Sequence, residues 1–350
     1  MVFGCVCIFI ILMCTFFVDS ADAVTTICKG TTTKKEETIE MNLSKGTCLV
    51  TVSDTDSWVY AQLQKTGGNQ IGEALAGEKL LAPLGQEKTF AVRVKKAGTL
   101  YLYLHGTNAG ASYQVRMVAP GGTLKSGTPL TGTSYGDNTT VVWYKMKVAD
   151  SGSLKVTVKD SSYRYPGYSK VQLKKNDAVI SGDEHLIGGL DYSTVYGVSK
   201  GTYYIGVRSS SEIYNITAEF TKLKQAKYGK TKKQSEVIKR KKKAYGIIEP
   251  GDATARWYRI DIPDKSSGEA TRTIRIQAQN SNVNTSGGVA VRLHYKRVSN
   301  GEYFSEKEEY LLNNSEQELT FKAFKDKVRT VYVRMASASD ASGAYMIYWK

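Results

Sequence analysis

The stretch WYKMKV, residues 143–148, decides how this chain is read. In an extended backbone successive side chains point to opposite faces. Tyr144, Met146 and Val148 therefore share one face, and Trp143, Lys145 and Lys147 the other. The first set reads as core. The second faces water, yet it begins with a tryptophan. Nearly the same string returns as WYRIDI at 257–262. A pattern that recurs with its anomaly intact marks a repeated architectural position.

The repeat extends outward on both sides. Gly132 precedes Trp143 by 11 residues, and Gly246 precedes Trp257 by the same 11. Between each glycine and its tryptophan lies a Gly-Asp turn, in TSYGDNTTVV (133–142) and IIEPGDATAR (247–256). Alternating segments follow in the same order: GSLKVTVK (152–159) and TRTIRIQAQ (271–279), then SKVQLKKN (169–176) and VAVRLHYK (289–296). Each unit closes on a hairpin, at 201–220 and 328–349. A weaker copy precedes them. ETIEMNL (37–43) aligns with the Trp-Tyr strand, with Thr38 in the tryptophan's place, and GTLYLYLHGTNAGASYQVRMV (98–118) matches the closing hairpin. No segment shows a sustained helical period. Short alternating strands separated by Gly, Asn, Asp and Ser turns predict an all-β chain of three tandem antiparallel β-sandwich domains, at 24–120, 121–223 and 224–350. About 100 residues per unit is enough for two packed sheets. The 350 residues, 41% hydrophobic and 23% charged, are ordinary for a folded chain of two or three domains; the 32 Gly and 23 Tyr against 6 Pro suit strands joined by turns.

The series Gly, Gly-Asp, Trp-Tyr, GSLKVTV, Gly-Thr-Tyr-Tyr and the final Tyr-containing strand resembles the bacterial pre-peptidase C-terminal domain. That resemblance is good over the second unit, fair over the third and partial over the first. It implies jelly-roll-like sandwiches of the kind found beside secreted peptidases and as tandem surface modules. In that family an Asp directly precedes the Trp-Tyr pair. Here Val142 and Arg256 stand there, so the resemblance supports fold more than an acidic or calcium site.

The first residues differ from the rest. MVFGCVCIFIILMCTFF is an uncharged apolar run, and VDSADA after it ends in the small-x-small pattern Ala21-Asp22-Ala23. This reads as a secretory signal peptide over 1–23, although no Lys or Arg precedes the run. An uncleaved anchor is the competitor, but the run is short for a span. Removing 1–23 takes away Asp19 and Asp22 and no base, so the formal charge of +15 rises by two, to +17. Of the five cysteines, Cys28 and Cys48 remain. An even pair in an exported chain predicts one disulfide, worth roughly 3 kcal/mol for a loop of about 20 residues.

Catalysis finds little support. The three histidines, His105, His185 and His294, have different contexts. No nucleophile elbow and no His-Glu-x-x-His helix occurs, and no carboxylate pair is singled out. The expectation is no enzyme, no cofactor and no metal site. Calcium stays open but unsupported, because Asp54-Thr-Asp56, Gly136-Asp137-Asn138 and Gly251-Asp252 offer turn oxygens well short of a six-ligand set. Trp143, Tyr144, Trp257 and Tyr258 read as structural markers. The indoles would cover a sheet edge or the adjoining turn, and stacking on a ligand is the competing role.

Two surface features are candidates for binding. The loop SSYRYPGYSK (161–170) carries Tyr163, Arg164, Tyr165 and Tyr168, with no aromatic counterpart in the third unit; tyrosines there could stack on sugar rings or peptide side chains. The stretch 222–246 holds eleven Lys and Arg between Lys222 and Lys243 against one acid, Glu236. Its run Lys239, Arg240, Lys241, Lys242 and Lys243 forms an electrostatic patch toward anionic wall polymer, acidic glycan or phospholipid headgroups, or else a charged edge that blocks aggregation. Repeat logic places the first strand of the third unit at Val237–Tyr245. Nucleic acid is the weaker partner, since no RRM, KH or helix-turn-helix pattern is visible. The leading expectation is a secreted or cell-surface binding or adhesion protein that recognises polysaccharide, cell-wall polymer or extracellular protein. The alternatives are an accessory of a secreted peptidase, a hydrolase with an unrecognised site, or a structural surface layer.

Overall fold

A computed structural model describes residues 24–67, 80–133, 140–160, 168–181, 184–187, 193–209, 213–263, 270–280, 288–296, 303–305, 308–312, 315–323, 328–338 and 341–350. The segment 1–23, read above as an export signal, lies outside them. Among the described residues the regular structure is β, apart from one 3-10 turn at Lys232–Gln234.

Alternation produces this directly. The strand Val142–Val148 buries Val142, Tyr144, Met146 and Val148 and exposes Lys145 and Lys147. The strand Arg256–Asp261 buries Arg256, Tyr258 and Ile260. Each strand thus presents one apolar face, and two such faces must close on each other.

One strand order recurs three times. In the first, Val24–Thr31, Ser112–Val118, Gly46–Ser53 and Lys88–Val94 pair in that sequence, facing a sheet of Glu36–Leu43, Gly98–Gly106, Val59–Gln64 and Leu80–Ala82. In the second, Leu130–Thr133, Ile213–Lys222, Gly152–Asp160 and Ser193–Val198 face Val142–Val148, Gly201–Ser209 and Tyr168–Lys175. In the third, Ala244–Ile248, Gly343–Trp349, Ala270–Asn280 and Ser315–Ala323 face Arg256–Asp261, Thr330–Ala338 and Gly288–Lys296. Successive long strands alternate between facing sheets, as in a jelly roll. Three buried clusters, each drawing on both sheets of a pair, form the cores. The register confirms the alignment of the weak copy: Trp143 lies opposite Gly206, Trp257 opposite Arg334, and Thr38 opposite Tyr103.

The Trp-Tyr landmark and the distant glycine now have a joint explanation. Tyr144 and Tyr214 meet across the second core, hydroxyl to hydroxyl at 2.9 Å, with edge-on rings. Tyr258 and Tyr345 do the same across the third at 2.8 Å. All four are buried, so each hydroxyl satisfies the other where water cannot. Gly132 faces Tyr214 across its strand pair, and Gly246 faces Tyr345. A Cβ at Gly132 would fall inside van der Waals contact of the Tyr144 hydroxyl and the Tyr214 ring, and one at Gly246 would fall on the Tyr345 ring. Each glycine thus makes room for the tyrosine pair, one member of which follows the glycine by 12 residues, directly after the tryptophan.

Two expectations are corrected. Cys28 and Cys48 are free thiols. They sit on Val24–Thr31 and Gly46–Ser53, and the strand Ser112–Val118 hydrogen-bonds between them. Two strand spacings are about 10 Å, beyond the reach of about 7 Å that a disulfide allows between Cα atoms. The Cys28 thiol instead approaches Met41 Sδ at 3.4 Å. The third unit's opening strand is also not Val237–Tyr245. Glu236–Val237 pairs in parallel with Tyr258–Arg259; Ile238 is buried, and its carbonyl accepts the Trp349 indole N–H at 2.7 Å. Lys241 then turns the chain with a φ of 59°, and the long strand begins only at Ala244. Anchoring the indole and turning at Lys241 break the run that alternation alone would continue. Gly122–Thr123 adds in parallel beside Tyr144–Lys145 in the same way, so in both cases the incoming segment covers the edge of the Trp-Tyr strand.

The second and third cores meet closely. Ser342 Oγ donates to the Ile248 carbonyl and accepts the Gly197 N–H, both at 2.8 Å. Nearby, Lys175 Nζ and Ser199 Oγ reach Glu249 at 3.2 and 3.1 Å.

Candidate functional site

The outward face of the third core's Trp-Tyr sheet is where chemistry collects. Strand register sets it out in rows. Trp257, Arg334 and Arg292 stand side by side on three neighbouring strands, and Arg259, Tyr332 and His294 form the next row. Residues directly opposite share a face, so these side chains all project outward. Above them lies a cavity of about 690 Å³, lined among others by Trp257, Arg292, His294, Glu308, Tyr310 and Arg334.

Each lining group is held in place. Gly229 and Trp257 exchange two backbone hydrogen bonds of 2.9 Å, which ties the lysine-rich segment to the tryptophan strand. The indole of Trp257 and the imidazole of His294 lie 5.1 Å apart at a 40° tilt. Glu308 enters from the short edge element before Glu309–Leu311, which pairs with Gly288–Lys296. One of its oxygens accepts from Arg334 Nη1 at 2.9 Å and lies 3.4 Å from Arg292 Nη2. The other accepts from the half-exposed Tyr310 hydroxyl at 3.4 Å. Lys232, on the 3-10 turn, sits over the Tyr332 ring at 5.2 Å. Arg292, Arg334 and Lys232 all bear on this face, beside the Glu308 carboxylate. Burial, followed by these three cations, pulls the His294 pKa down to about 4, so the imidazole is neutral at neutral pH. Its Nε2 is buried without a hydrogen-bond partner among the described residues. Arg256, where the resembled family has Asp, is buried: it bonds to Asp252 and to the Thr254 carbonyl and lies over Tyr228. It fastens the Gly251-Asp252 turn, so the Asp252 carboxylate is committed to a guanidinium and the Thr254 N–H.

The same positions differ in the other two repeats. Trp143 lies over Gly206, where a Cβ would come within 2.6 Å of the indole, and Lys174 caps it at 5.6 Å. The indole lies over the sheet at this point. In the first repeat, Trp58, Tyr60, Tyr103 and His105 gather on the equivalent sheet, with the Trp58 and His105 rings 5.4 Å apart and Trp58 41% exposed.

In the sequence Trp257 reads as a structural marker and His294 only as one of three unrelated histidines, while Arg292, Glu308 and Arg334 are not singled out. With Trp257 they are scattered over 78 positions, and strand pairing brings them together. The faint signal was the outward parity of Arg292 and His294 in VAVRLHYK and of Arg334 in VYVRM. Tyr163, Arg164 and Tyr165 lie outside the described residues. Tyr168 opens the strand Tyr168–Lys175, and its side chain is not described. Lys239, Arg240, Lys241, Lys242 and Lys243 are all exposed, between buried Ile238 and buried Ala244. Among the described residues no three His, Cys, Asp or Glu form a metal-holding group, and no helix is long and apolar enough to cross a membrane.

No protein-family model matches the chain, and no curated protein matches it. Among solved structures it is similar to the CBM22-1–CBM22-2 tandem domain of Paenibacillus barcinonensis Xyn10C, at 9% identity and a TM-score of 0.24, over 62% of this chain and 85% of that one. It is similar to the CUB1-EGF-CUB2 domains of rat MASP-1, at 9% identity and a TM-score of 0.19, over 65% of this chain and 99% of that one. A third likeness is to the M60 catalytic domain with CBM51-1 and CBM51-2 from Clostridium perfringens ZmpB, at 10% identity and a TM-score of 0.17, over 91% of this chain and 34% of that one. Likenesses this slight carry no argument; the fold rests on the thrice-repeated strand order.

Proposed function

We propose that this is an exported, non-catalytic binding protein, built from β-sandwich modules at 24–120, 121–223 and 224–350, that recognises polysaccharide or cell-wall polymer. The observation that carries this reading is the cavity over Trp257, Arg292, His294 and Arg334. It joins an aromatic face, which suits the C–H face of a sugar ring, to a set of fixed donors, which suit its oxygens. A catalytic reading fares worse. Glycoside cleavage needs two facing carboxylates, and Glu308, the carboxylate lining the described cavity, is already engaged by two guanidiniums. The exposed run Lys239–Lys243 adds long-range attraction toward an anionic surface. The aromatic group around Trp58 offers a further contact along an extended polymer, where linked weak sites gain avidity.

The test is retention of the intact chain on immobilised polysaccharides and wall polymers, with Trp257→Ala beside it. The expected result is loss of retention with unchanged circular dichroism. Full retention by the folded Trp257→Ala chain would remove this cavity as the binding site.

A further inference from the structure

Resting on that reading, we infer that the saccharide taken by the third core carries a carboxylate, and that Glu308 occupies the ligand's seat until the ligand displaces it. The geometry around Glu308 is that of a bound acid. Arg334 and Arg292 converge on one carboxylate oxygen, at 2.9 and 3.4 Å. A guanidinium offers five N–H donors in a plane that matches a carboxylate two at a time. Sharing a single oxygen leaves most of that capacity unused, and Arg292 Nε is buried with no partner among the described residues. The buried, unpartnered His294 Nε2 is a second unmet group beside the same fork.

Charge points the same way. Among the described residues Arg292 and Arg334 outnumber Glu308 by one at this fork, so exchanging its carboxylate for a ligand's leaves the net charge there unchanged. Glu308 can leave because it stands at the start of a three-residue edge strand, Glu309–Leu311, and not inside the sheet. With it withdrawn, a ligand carboxylate takes both guanidiniums in paired N–H contacts. The sugar ring lies against Trp257, and neutral His294 meets a ring hydroxyl.

The experiment is isothermal titration of the intact chain with three probes: an oligogalacturonate, its methyl-esterified form of the same length, and a sulfated oligosaccharide. Each probe is run against wild type, Glu308→Gln, Arg334→Gln and Trp257→Ala. Glu308→Gln keeps the shape of the side chain and removes the competing charge, so it should tighten oligogalacturonate about three- to ten-fold and leave the ester unchanged. Arg334→Gln should weaken oligogalacturonate about ten-fold or more, again sparing the ester. Three results overturn the inference: a Glu308→Gln chain that binds the acid no better, an ester bound as well as the acid, or a sulfated probe preferred over both. If the ester binds and Trp257→Ala abolishes that binding, the saccharide reading survives alone. If no probe binds wild type, or Trp257→Ala binds like wild type, both readings fall. Circular dichroism of each variant separates lost binding from lost fold.

Discussion

Replacing Tyr258 by Phe should destabilise the third core by an amount that a second replacement, Tyr345→Phe, largely gives back. The two hydroxyls are 2.8 Å apart, and the side chains are 0% and 2% exposed. Removing the Tyr258 oxygen leaves the Tyr345 hydroxyl buried with no acceptor. An orphaned buried hydroxyl costs roughly 1–3 kcal/mol, whereas removing both partners of a buried pair can be nearly neutral. The coupling between the two sites should therefore be about 1–2 kcal/mol. Burial pushes the Tyr258 pKa up to about 12 and raises that of Tyr345 as well, so both hydroxyls stay protonated and the coupling should not change between pH 6 and about 9. Hydrogen exchange of the intact chain gives the readout, in peptides covering Arg256–Asp261 and Gly343–Trp349. A loss of about 2 kcal/mol appears there as roughly 30-fold faster exchange. The second core supplies a graded control. Tyr214 also reaches the Thr133 carbonyl at 3.4 Å, so Tyr144→Phe leaves a weak substitute acceptor and should cost less than Tyr258→Phe. Additivity of Tyr258→Phe and Tyr345→Phe to within about 0.5 kcal/mol would show that the pair is merely packed and would undo this account of the Trp-Tyr landmark.

Further outcomes are expected. Thiol titration of the folded chain from residue 24 onward should show half-buried Cys28 reacting slowly and Cys48 only after unfolding, since burial raises both pKa values, that of Cys48 to about 12; no change in unfolding on adding reductant is expected, and a reductant-sensitive midpoint would restore the disulfide. His294 is protonated more readily unfolded, with a pKa near 6.5, than folded, near 4, so its share of stability is complete above about pH 6.5 and is lost as pH falls toward 4; His294→Gln should flatten local exchange in that window, and an unaltered slope counts against a half-buried imidazole kept neutral by the fold. At the junction, a Cβ on Gly197 would meet the carbonyls of Gly343 and Ile248, so Gly197→Val should separate the second and third cores and enlarge the radius of gyration in small-angle scattering while both cores stay folded.

What could be read in the sequence follows from how far each feature reaches along the chain. The strand WYKMKV needs only alternation, a property of neighbouring residues, and its burial came out as read. The recurrent glycine 11 positions before each tryptophan was visible too, but its reason was not, because Tyr214 and Tyr345 approach it from the last strand of each repeat. The cysteines misled because 20 positions suggest nearness, while the strand that separates them arrives more than 60 residues after Cys48. The cavity was hidden for the same reason. Trp257, Arg292 and Arg334 are adjacent only through two strand pairings, and Glu308 joins them from an edge.

The three repeats show how one scaffold makes different surfaces from one register. The position beside the landmark is Tyr103 in the first repeat, Gly206 in the second and Arg334 in the third. Glycine lets the Trp143 indole lie down on the sheet, and Lys174 closes over it, so that position is spent on covering the fold. In the third repeat Arg334 stands opposite Trp257, the indole lies 5.1 Å from the His294 ring, and this face carries the cavity. In the second and third repeats the core is held by contrast, because the tyrosine pair and its glycine must fit together; the first has Ile39 in the tyrosine's place. The outward row carries no such constraint. The outward position opposite the tryptophan is glycine where the indole lies over the sheet and arginine where it lines a cavity, and Gly206→Arg is the substitution that should lift Trp143 from the sheet and raise its accessibility to acrylamide quenching. Quenching of Trp143 that stays unchanged in the folded variant would mean that the indole's posture is set by Lys174 and not by the row it stands in.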